Sequence, residues 1–386
     1  MRTIPNVDQT ERRYDQTGDR ELDLATPDRE PLALHRRLPG YVPSPLVDLP
    51  RLAGELGLER LWLKDESSRL GLPAFKILGA SWATVRALHA LFVERTGQPT
   101  REWTTIDELA EQIAPLRPLT LACATDGNHG RAVARMARWL GLGAHILVPA
   151  DMAPARVAAI RSEGARVSTI DGTYDDAVDA AAHLVAPDCL VISDTAWPGY
   201  EDVPSWVIEG YSTIFWEVDD ALAAAGEPGP DLVLIQIGVG ALAAAVVRHY
   251  RRAGVDPAPR IVGVEPTRAA CAMASMEAGE RVALAGPHDS IMSGLNCGVP
   301  SSVAWPLVSR GIDTFLTVDD DRTRRAMRAL AAEGVVAGEC GAAGLAGLTA
   351  LLDGDAATPR PTRVLILSTE GATDPDAYHR IIAGHP

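Results

Sequence analysis

Lys76 is where the chemistry of this sequence starts. Of its 36 basic residues only Lys64 and Lys76 are lysines, and all the others are arginines. Arginine replaces lysine wherever positive charge is all that is required. It cannot replace an amine that must lose its proton and attack a carbonyl, because guanidinium stays charged. Lys76 follows the loop Gly71-Leu-Pro-Ala-Phe75 and opens an apolar, helix-patterned run from Ile77 to Leu88. Partial burial there favours the neutral amine. Composition alone leaves the alternative open that both lysines are ordinary surface charges.

Four further stretches carry polar or glycine-rich turns, each directly after a β-rich run. They are Thr125-Asp-Gly-Asn-His-Gly130, Asp194-Thr-Ala-Trp-Pro-Gly-Tyr200, Gly238-Val-Gly240 and Ser368-Thr-Glu-Gly371. Gly238-Val-Gly240 leads into an alanine-rich helical run whose free amides and dipole suit a bound phosphate. The third glycine of a dinucleotide fingerprint is missing, and Glu265 alone does not restore that motif; no lysine follows to make a Walker loop. A phosphate cofactor without a nucleotide fits better. Together with a Schiff-base lysine it suggests pyridoxal 5′-phosphate, an electron sink for a carbanion at an amino acid's α-carbon. No histidine pair has metal-ligand spacing, so no metal is expected. His129, inside its turn, reads as structural, and Trp197 and Trp206 as core or pocket wall.

The elements that must position these residues alternate. Strands are expected at 61–64, 119–124, 145–149, 166–170, 190–193, 232–237, 261–264, 314–318 and 364–367. Helices are expected at 83–94, 130–140, 154–162, 175–185, 207–225 and 322–333. Such alternation implies βαβ crossovers and mostly parallel sheets, with ligands at the carboxyl ends of strands. The fold class is α/β. A length of 386 residues predicts two domains. Residues 1–30 are low in apolar content and read as a flexible or loosely docked extension.

A formal charge of −15 argues against nucleic acid or an anionic membrane as partner. Five scattered cysteines form neither a disulfide scaffold nor a zinc module, although Cys271 and Cys297 lie in neighbouring segments where a pair is conceivable. The polar N-terminus and the absence of a long apolar block predict a cytoplasmic protein.

Ala74-Phe-Lys76, Asp126-Gly-Asn-His-Gly130, Gly238-Val-Gly240 and Ser368-Thr-Glu-Gly371 resemble the fold-type II pyridoxal-phosphate enzymes, the tryptophan synthase β-like group. Leu38–Leu46, the Asp194 stretch, Ile291-Met-Ser-Gly-Leu-Asn-Cys-Gly298 and Gly338-Glu-Cys-Gly-Ala342 extend the resemblance, in family order, towards the diaminopropionate ammonia-lyases. It implies two α/β domains, with residues 85–195 as a smaller domain inserted in a larger one of 31–84 and 196–386, in a homodimer. It implies that Lys76 carries pyridoxal 5′-phosphate as a Schiff base beside Phe75, and that Asn128 bonds the cofactor's phenolic oxygen. Gly238, Val239 and Gly240 would hold the phosphate, and Ser368 or Thr369 would partner the pyridine nitrogen.

The carboxylates narrow the substrate. Related serine and threonine dehydratases commonly carry a small neutral residue at the position of Asp126. A carboxylate suits a cationic β-amine and can act as base or acid; Asp194 would be the second such group, from another side. The expected reaction is α,β-elimination of D- or L-2,3-diaminopropionate to pyruvate and ammonia. The alternatives are a serine or threonine dehydratase, a β-replacement enzyme, or an idle amino-acid-binding paralogue. Asp126 could instead cap a helix, and Asp194 could simply bond its turn. Pro73, Ala80, Ser293, Asn296 and Cys340 depart from the family's usual residues near the expected pocket, which bears on the substrate.

Overall fold

The computed structural model describes residues 1–6, 10–17, 22, 24, 26–354 and 363–385. It divides into two compact units, Met1–Asp28 with Pro43–Ser68 and Ile214–Pro386, and Arg29–Val42 with Arg69–Thr213.

The first unit is built on a seven-stranded sheet in the order Arg13–Asp15, Thr314–Val318, Arg260–Pro266, Leu232–Gln236, Arg363–Ser368, Arg60–Asp65, Leu46–Asp48. The two outermost strands run antiparallel to their neighbours and all other pairs are parallel. Thr314–Val318 and Leu232–Gln236 are buried along their whole length, as unalternated apolar runs require when helices cover both faces. In register, Ser368 lies opposite Asp65 and Val264 opposite Gln236. The turns after Gln236 and after Ser368 therefore emerge at the same edge of this sheet.

The second unit holds a four-stranded parallel sheet in the order Arg166–Ile170, Gly143–Pro149, Thr120–Ala124, Cys189–Val191. Ala122 pairs with Val191, so the segments carrying Asp126 and Asp194 leave neighbouring strands at one carboxyl edge. The helix Lys76–Thr96 packs on Asp202–Gly210, Asn128–Leu140 and Glu30–His35. That packing explains why the chain passes between the units at 28/29, 42/43, 68/69 and 213/214, where the sequence suggested 84/85 and 195/196, and why Lys76 belongs with the smaller sheet.

The N-terminal segment differs from expectation. Thr3–Ile4 pairs in parallel with Ala283–Leu284, and Arg13–Asp15 forms the outer strand beside Thr314–Val318. Arg12 adds an ion pair to Glu277, and Thr314 Oγ1 donates to Asp15. These described parts are docked as strands; residues 7–9, 18–21, 23 and 25 of the expected extension lie outside the described residues. The predicted helix 207–225 is two helices, Asp202–Gly210 and Ser212–Ala225, with Tyr211 at the break. No helix among the described residues is long and apolar enough to cross a membrane.

Candidate active site

In the second unit the approach to Lys76 is a tight hairpin. Arg69 and Leu72 exchange backbone hydrogen bonds around Leu70 and Gly71, whose φ values are +52° and +72°. This left-handed pair is the type I′ arrangement, which asparagine and glycine adopt far more readily than leucine. The chain then enters the helix Lys76–Thr96 with Lys76 as its first residue. A cation is disfavoured at that end of a helix, and the first turn contains no acidic residue to offset it.

The offset comes from elsewhere in the chain. Lys76 Nζ lies 2.7 Å from Asp194 Oδ2, with the two side chains 19% and 5% exposed. Burial pulls the amine towards its neutral form, but the Asp194 carboxylate, with Tyr211 and Asp126 behind it, outweighs burial and holds Lys76 protonated above the ordinary lysine range. Burial likewise opposes charge on Asp194, yet Lys76 chiefly, with His129 and Tyr174, keeps its carboxyl well below the usual range. Tyr174 donates to the other oxygen, Oδ1, at 3.1 Å.

Phe75 and Tyr211 form the remaining wall, their ring centroids 4.7 Å apart, and Lys76 Nζ sits 5.6 Å from the Phe75 ring. Tyr211 comes this close because Gly79 lets the two helices meet: a Cβ at Gly79 would lie 2.6 Å from Tyr211 Cε1 and 2.7 Å from Val207 Cγ1. Neither tyrosine was singled out from sequence, and no local pattern marks them. Tyr174 is reached through a helix whose start is signalled by the Thr173/Asp176 capping box, and Tyr211 through an unpredicted helix break.

Asp126 sits just before the helix Asn128–Leu140. The helix's N-cap is Gly127, and Thr125 Oγ1 accepts from the amides of Gly127 and Gly130 at 2.9 Å each. Capping is thus the task of Thr125, and the Asp126 carboxylate adds to the negative charge that raises Lys76. Asn128 opens the helix, and His129 behind it is buried with Nε2 2.7 Å from Ile192 O. Trp197 stacks on Tyr200 at 4.0 Å.

In the first unit, Gly240 adopts φ +95° and caps the ten-residue helix Ala241–Tyr250, whose first internal bond runs from Ala244 N to Gly240 O. The amides before Ala244 therefore precede the helix's own ladder. A Cβ at Gly238 would lie 3.1 Å from Gly294 O and 3.2 Å from Cys297 Sγ. Val239 O is held by Ser301 N at 2.9 Å. Such a turn, narrow and edged with backbone donors, fits a phosphate group. Cys271 and Cys297 both lie near Gly238 as buried free thiols. Asn296 is spent on its own loop, bonding Ser290 through both ends of its amide.

Gln236, at the end of the preceding strand, donates to Cys340 O at 2.8 Å and approaches Leu367 O and Thr369 Oγ1 at 3.1 and 3.0 Å. Among the described residues, Ser368 Oγ makes only a long contact to Glu370 O, 3.4 Å. Glu265 is fully buried and accepts from the amides of Ala272 and Met273, so it is a structural group and no nucleotide ligand.

A family profile described as pyridoxal-phosphate dependent enzyme matches residues 37–370. The diaminopropionate ammonia-lyase of Salmonella typhimurium is 35% identical over 370 residues, which cover 92% of this chain and 91% of that protein. The crystal structure of the Escherichia coli diaminopropionate ammonia-lyase in complex with D-serine superposes with a TM-score of 0.86 at 30% identity, covering 97% of each chain. The same enzyme in complex with an aminoacrylate-PLP azomethine reaction intermediate gives 0.84, again at 30% identity and 97% of each chain.

Proposed function

We propose that this chain, which belongs to the pyridoxal-phosphate-dependent enzymes and within them to the diaminopropionate ammonia-lyases, carries its α,β-elimination on Lys76, Asp126 and Asp194. The reaction converts 2,3-diaminopropionate to pyruvate and ammonia with pyridoxal 5′-phosphate as cofactor. When bound, the cofactor supplies an electron sink for the charge left at the substrate's α-carbon.

The chain's residues divide the remaining work. The Lys76 amine is the point of covalent attachment, and Phe75 packs beside it. The carboxylates of Asp126 and Asp194 pair with the substrate's β-ammonium or take the α-proton onto a carboxylate oxygen, each serving one enantiomer. The β-nitrogen leaves as ammonia from its protonated form, so no further acid is needed at that atom. Asn128 bonds the cofactor's phenolic oxygen, and the amides of Gly238, Val239 and Gly240 hold its phosphate. Of Ser368 and Thr369, Thr369 is the better partner for the pyridine nitrogen, because Gln236 orients its oxygen and leaves its hydroxyl proton to donate. The enzyme works as a cytoplasmic homodimer. The observation that supports this reading most is the buried 2.7 Å contact between Lys76 and Asp194, in a chain whose other lysine is enclosed elsewhere.

The test is release of pyruvate and ammonia from each enantiomer of 2,3-diaminopropionate, with serine and threonine in parallel. Asp126→Asn and Asp194→Asn are each expected to lose about 10²–10⁴-fold in turnover on one enantiomer and far less on the other. Undiminished turnover of both enantiomers by both variants would remove the carboxylates from the chemistry. Faster turnover of serine or threonine would move the enzyme to the dehydratases.

A further inference from the structure

Asp194 Oδ2 faces two nitrogens. Lys76 Nζ is at 2.7 Å and His129 Nδ1 at 4.0 Å, while Oδ1 is occupied by Tyr174. The tautomer of His129 follows from its other nitrogen: Nε2 is 2.7 Å from the carbonyl oxygen of Ile192 and must donate to it. The lone pair of the neutral ring is therefore on Nδ1. That atom is buried and has no hydrogen-bond partner among the described residues, and the whole side chain is 2% exposed. A buried acceptor pointing at a carboxylate with no proton between them carries a cost in the state seen here. One proton at Oδ2 or Nδ1 would remove it.

We propose that His129 is the second proton holder of Asp194, taking over at Oδ2 when Lys76 is no longer an ammonium. The proposal rests on the functional reading above, in which the Lys76 amine becomes covalently engaged and Asp194 takes a proton from the substrate's α-carbon. The proton on Oδ2 then passes to Nδ1. The O–H bond breaks, the N–H bond forms, and a neutral acid and neutral imidazole become carboxylate and imidazolium. The two atoms must close by about 1 Å to share the proton. Asp194 is thereby restored as a base without a water molecule entering the pocket. His129 acts through Asp194 and touches no substrate atom.

Lys76 and His129 are alternatives at this oxygen, because two buried cations on one carboxylate oxygen repel. Burial first, and the Lys76 charge after it, keep His129 neutral, while Asp194 works in the opposite direction. The other titratable groups around the cluster are Tyr211, Tyr174, Tyr200, Cys123 and Asp126. Burial pushes the Cys123 thiol and the Tyr200 and Tyr211 hydroxyls up, so none of these three competes for the proton near neutrality.

The first measurement is a ring-nitrogen NMR titration of the histidine-labelled, full-length protein free of cofactor, with the His129 signal identified by its absence in His129→Gln. Wild type is expected to keep the neutral Nε2–H tautomer from pH 6 to 8. Lys76→Ala should raise the His129 midpoint by at least about one pH unit, a tenfold change in protonation at fixed pH. An unmoved midpoint, or an Nδ1–H tautomer in wild type, would overturn the proposal whatever the enzyme's substrate is.

The second measurement uses the holoenzyme. Glutamine keeps an amide donor for Ile192 O but has no titrating nitrogen. His129→Gln should bind cofactor with unchanged absorbance and KM, lose about tenfold or more in kcat, and show an altered kcat pH profile. A kcat within twofold of wild type with the same profile would reduce His129 to a packing residue. If that variant fails to fold, His129→Asn supplies the assignment and the Lys76→Ala titration still decides, because His129 is intact there.

Discussion

Lys64 and Lys76 each hold a carboxylate at 2.7 Å, but their surroundings differ in kind. Lys64 lies on the strand Arg60–Asp65, its side chain 1% exposed, and donates to Glu217 Oε2 and Ser44 O, both at 2.7 Å. Glu217 also accepts from Ser44 N, and Ser44 Oγ donates to Glu66 at 2.6 Å. The ammonium is enclosed by these acceptors, one on a helix and one on a loop, and its side chain is almost wholly buried. Lys76 has the disfavoured end of a helix under it, 19% of its side chain exposed, and Asp194 as the partner that keeps it charged. Both positions need a compact ammonium that arginine cannot imitate. At Lys64 the need is geometric; at Lys76, on the function proposed above, it is reactivity. Conservation of charge type alone would have treated the two as equivalent.

The comparison breaks most sharply at the amines themselves. Lys76→Ala and Lys76→Arg should each lose at least about a thousandfold in kcat, since neither offers an amine for covalent attachment. Measurable turnover by Lys76→Arg would show that charge, not nucleophilicity, is what position 76 supplies. Lys64→Met should instead leave activity per folded molecule nearly unchanged and cost about 3–5 kcal/mol of stability, because Glu217 is left buried without its cation. Urea midpoints would read this, and Lys64→Met combined with Glu217→Leu should recover most of the loss. A Lys64→Met protein of normal stability would mean that Glu217 finds another partner.

The same contrast explains what could be read from sequence. All nine expected strands are present within a few residues, because most are apolar runs bounded by turns, and runs of that kind declare themselves locally. Lys76, Asp126 and Asp194 stand out in the sequence because their residue types are unusual for their settings, and the structure puts the first and last of them in contact. Tyr174 and Tyr211 do not stand out, because what places them beside Asp194 and Phe75 is tertiary packing. The break at Tyr211 was hidden inside a continuous helical pattern, and the close fit at Gly79 shows only what the Tyr211 ring packs against. Thr3–Ile4 and Arg13–Asp15 are too short and polar to signal strands. Their partners lie far along the chain, at Ala283–Leu284 and Thr314–Leu316.

A middle-sized effect separates the packing around Lys76 from its chemistry. Gly79→Ala places a methyl group 2.6 Å from the Tyr211 ring. Alanine is intrinsically better in a helix by about 1 kcal/mol, and overpacking costs about 1–3 kcal/mol, so a small net destabilisation is expected. Tyr211 must move from Phe75, and kcat should fall about tenfold while cofactor still binds. Thermal melting and cofactor absorbance on the same sample check both halves. An unaltered kcat would remove Tyr211 from the working pocket.

The last contrast concerns a buried carboxylate that has neither lysine's help. Glu265 is held by the amides of Ala272 and Met273 at 2.7 and 2.8 Å, with no cation hydrogen-bonded to it in the described residues. Burial outweighs those bonds and pushes its carboxyl from 4.5 up to about 8. Between those values the folded protein keeps a proton that the unfolded chain has released. Stability therefore falls as pH rises, by up to about 1.4 kcal/mol per pH unit, and levels off above the folded value. Asp194 and Lys76 add no slope in this window. The depressed carboxyl contributes fully above its unfolded pKa of about 3.9, and the raised amine contributes fully below about 10.4. The stability of wild type relative to Glu265→Gln should thus decline steadily from pH 5 to 8. A flat difference would show that the two amides hold Glu265 ionised, as Lys76 holds Asp194.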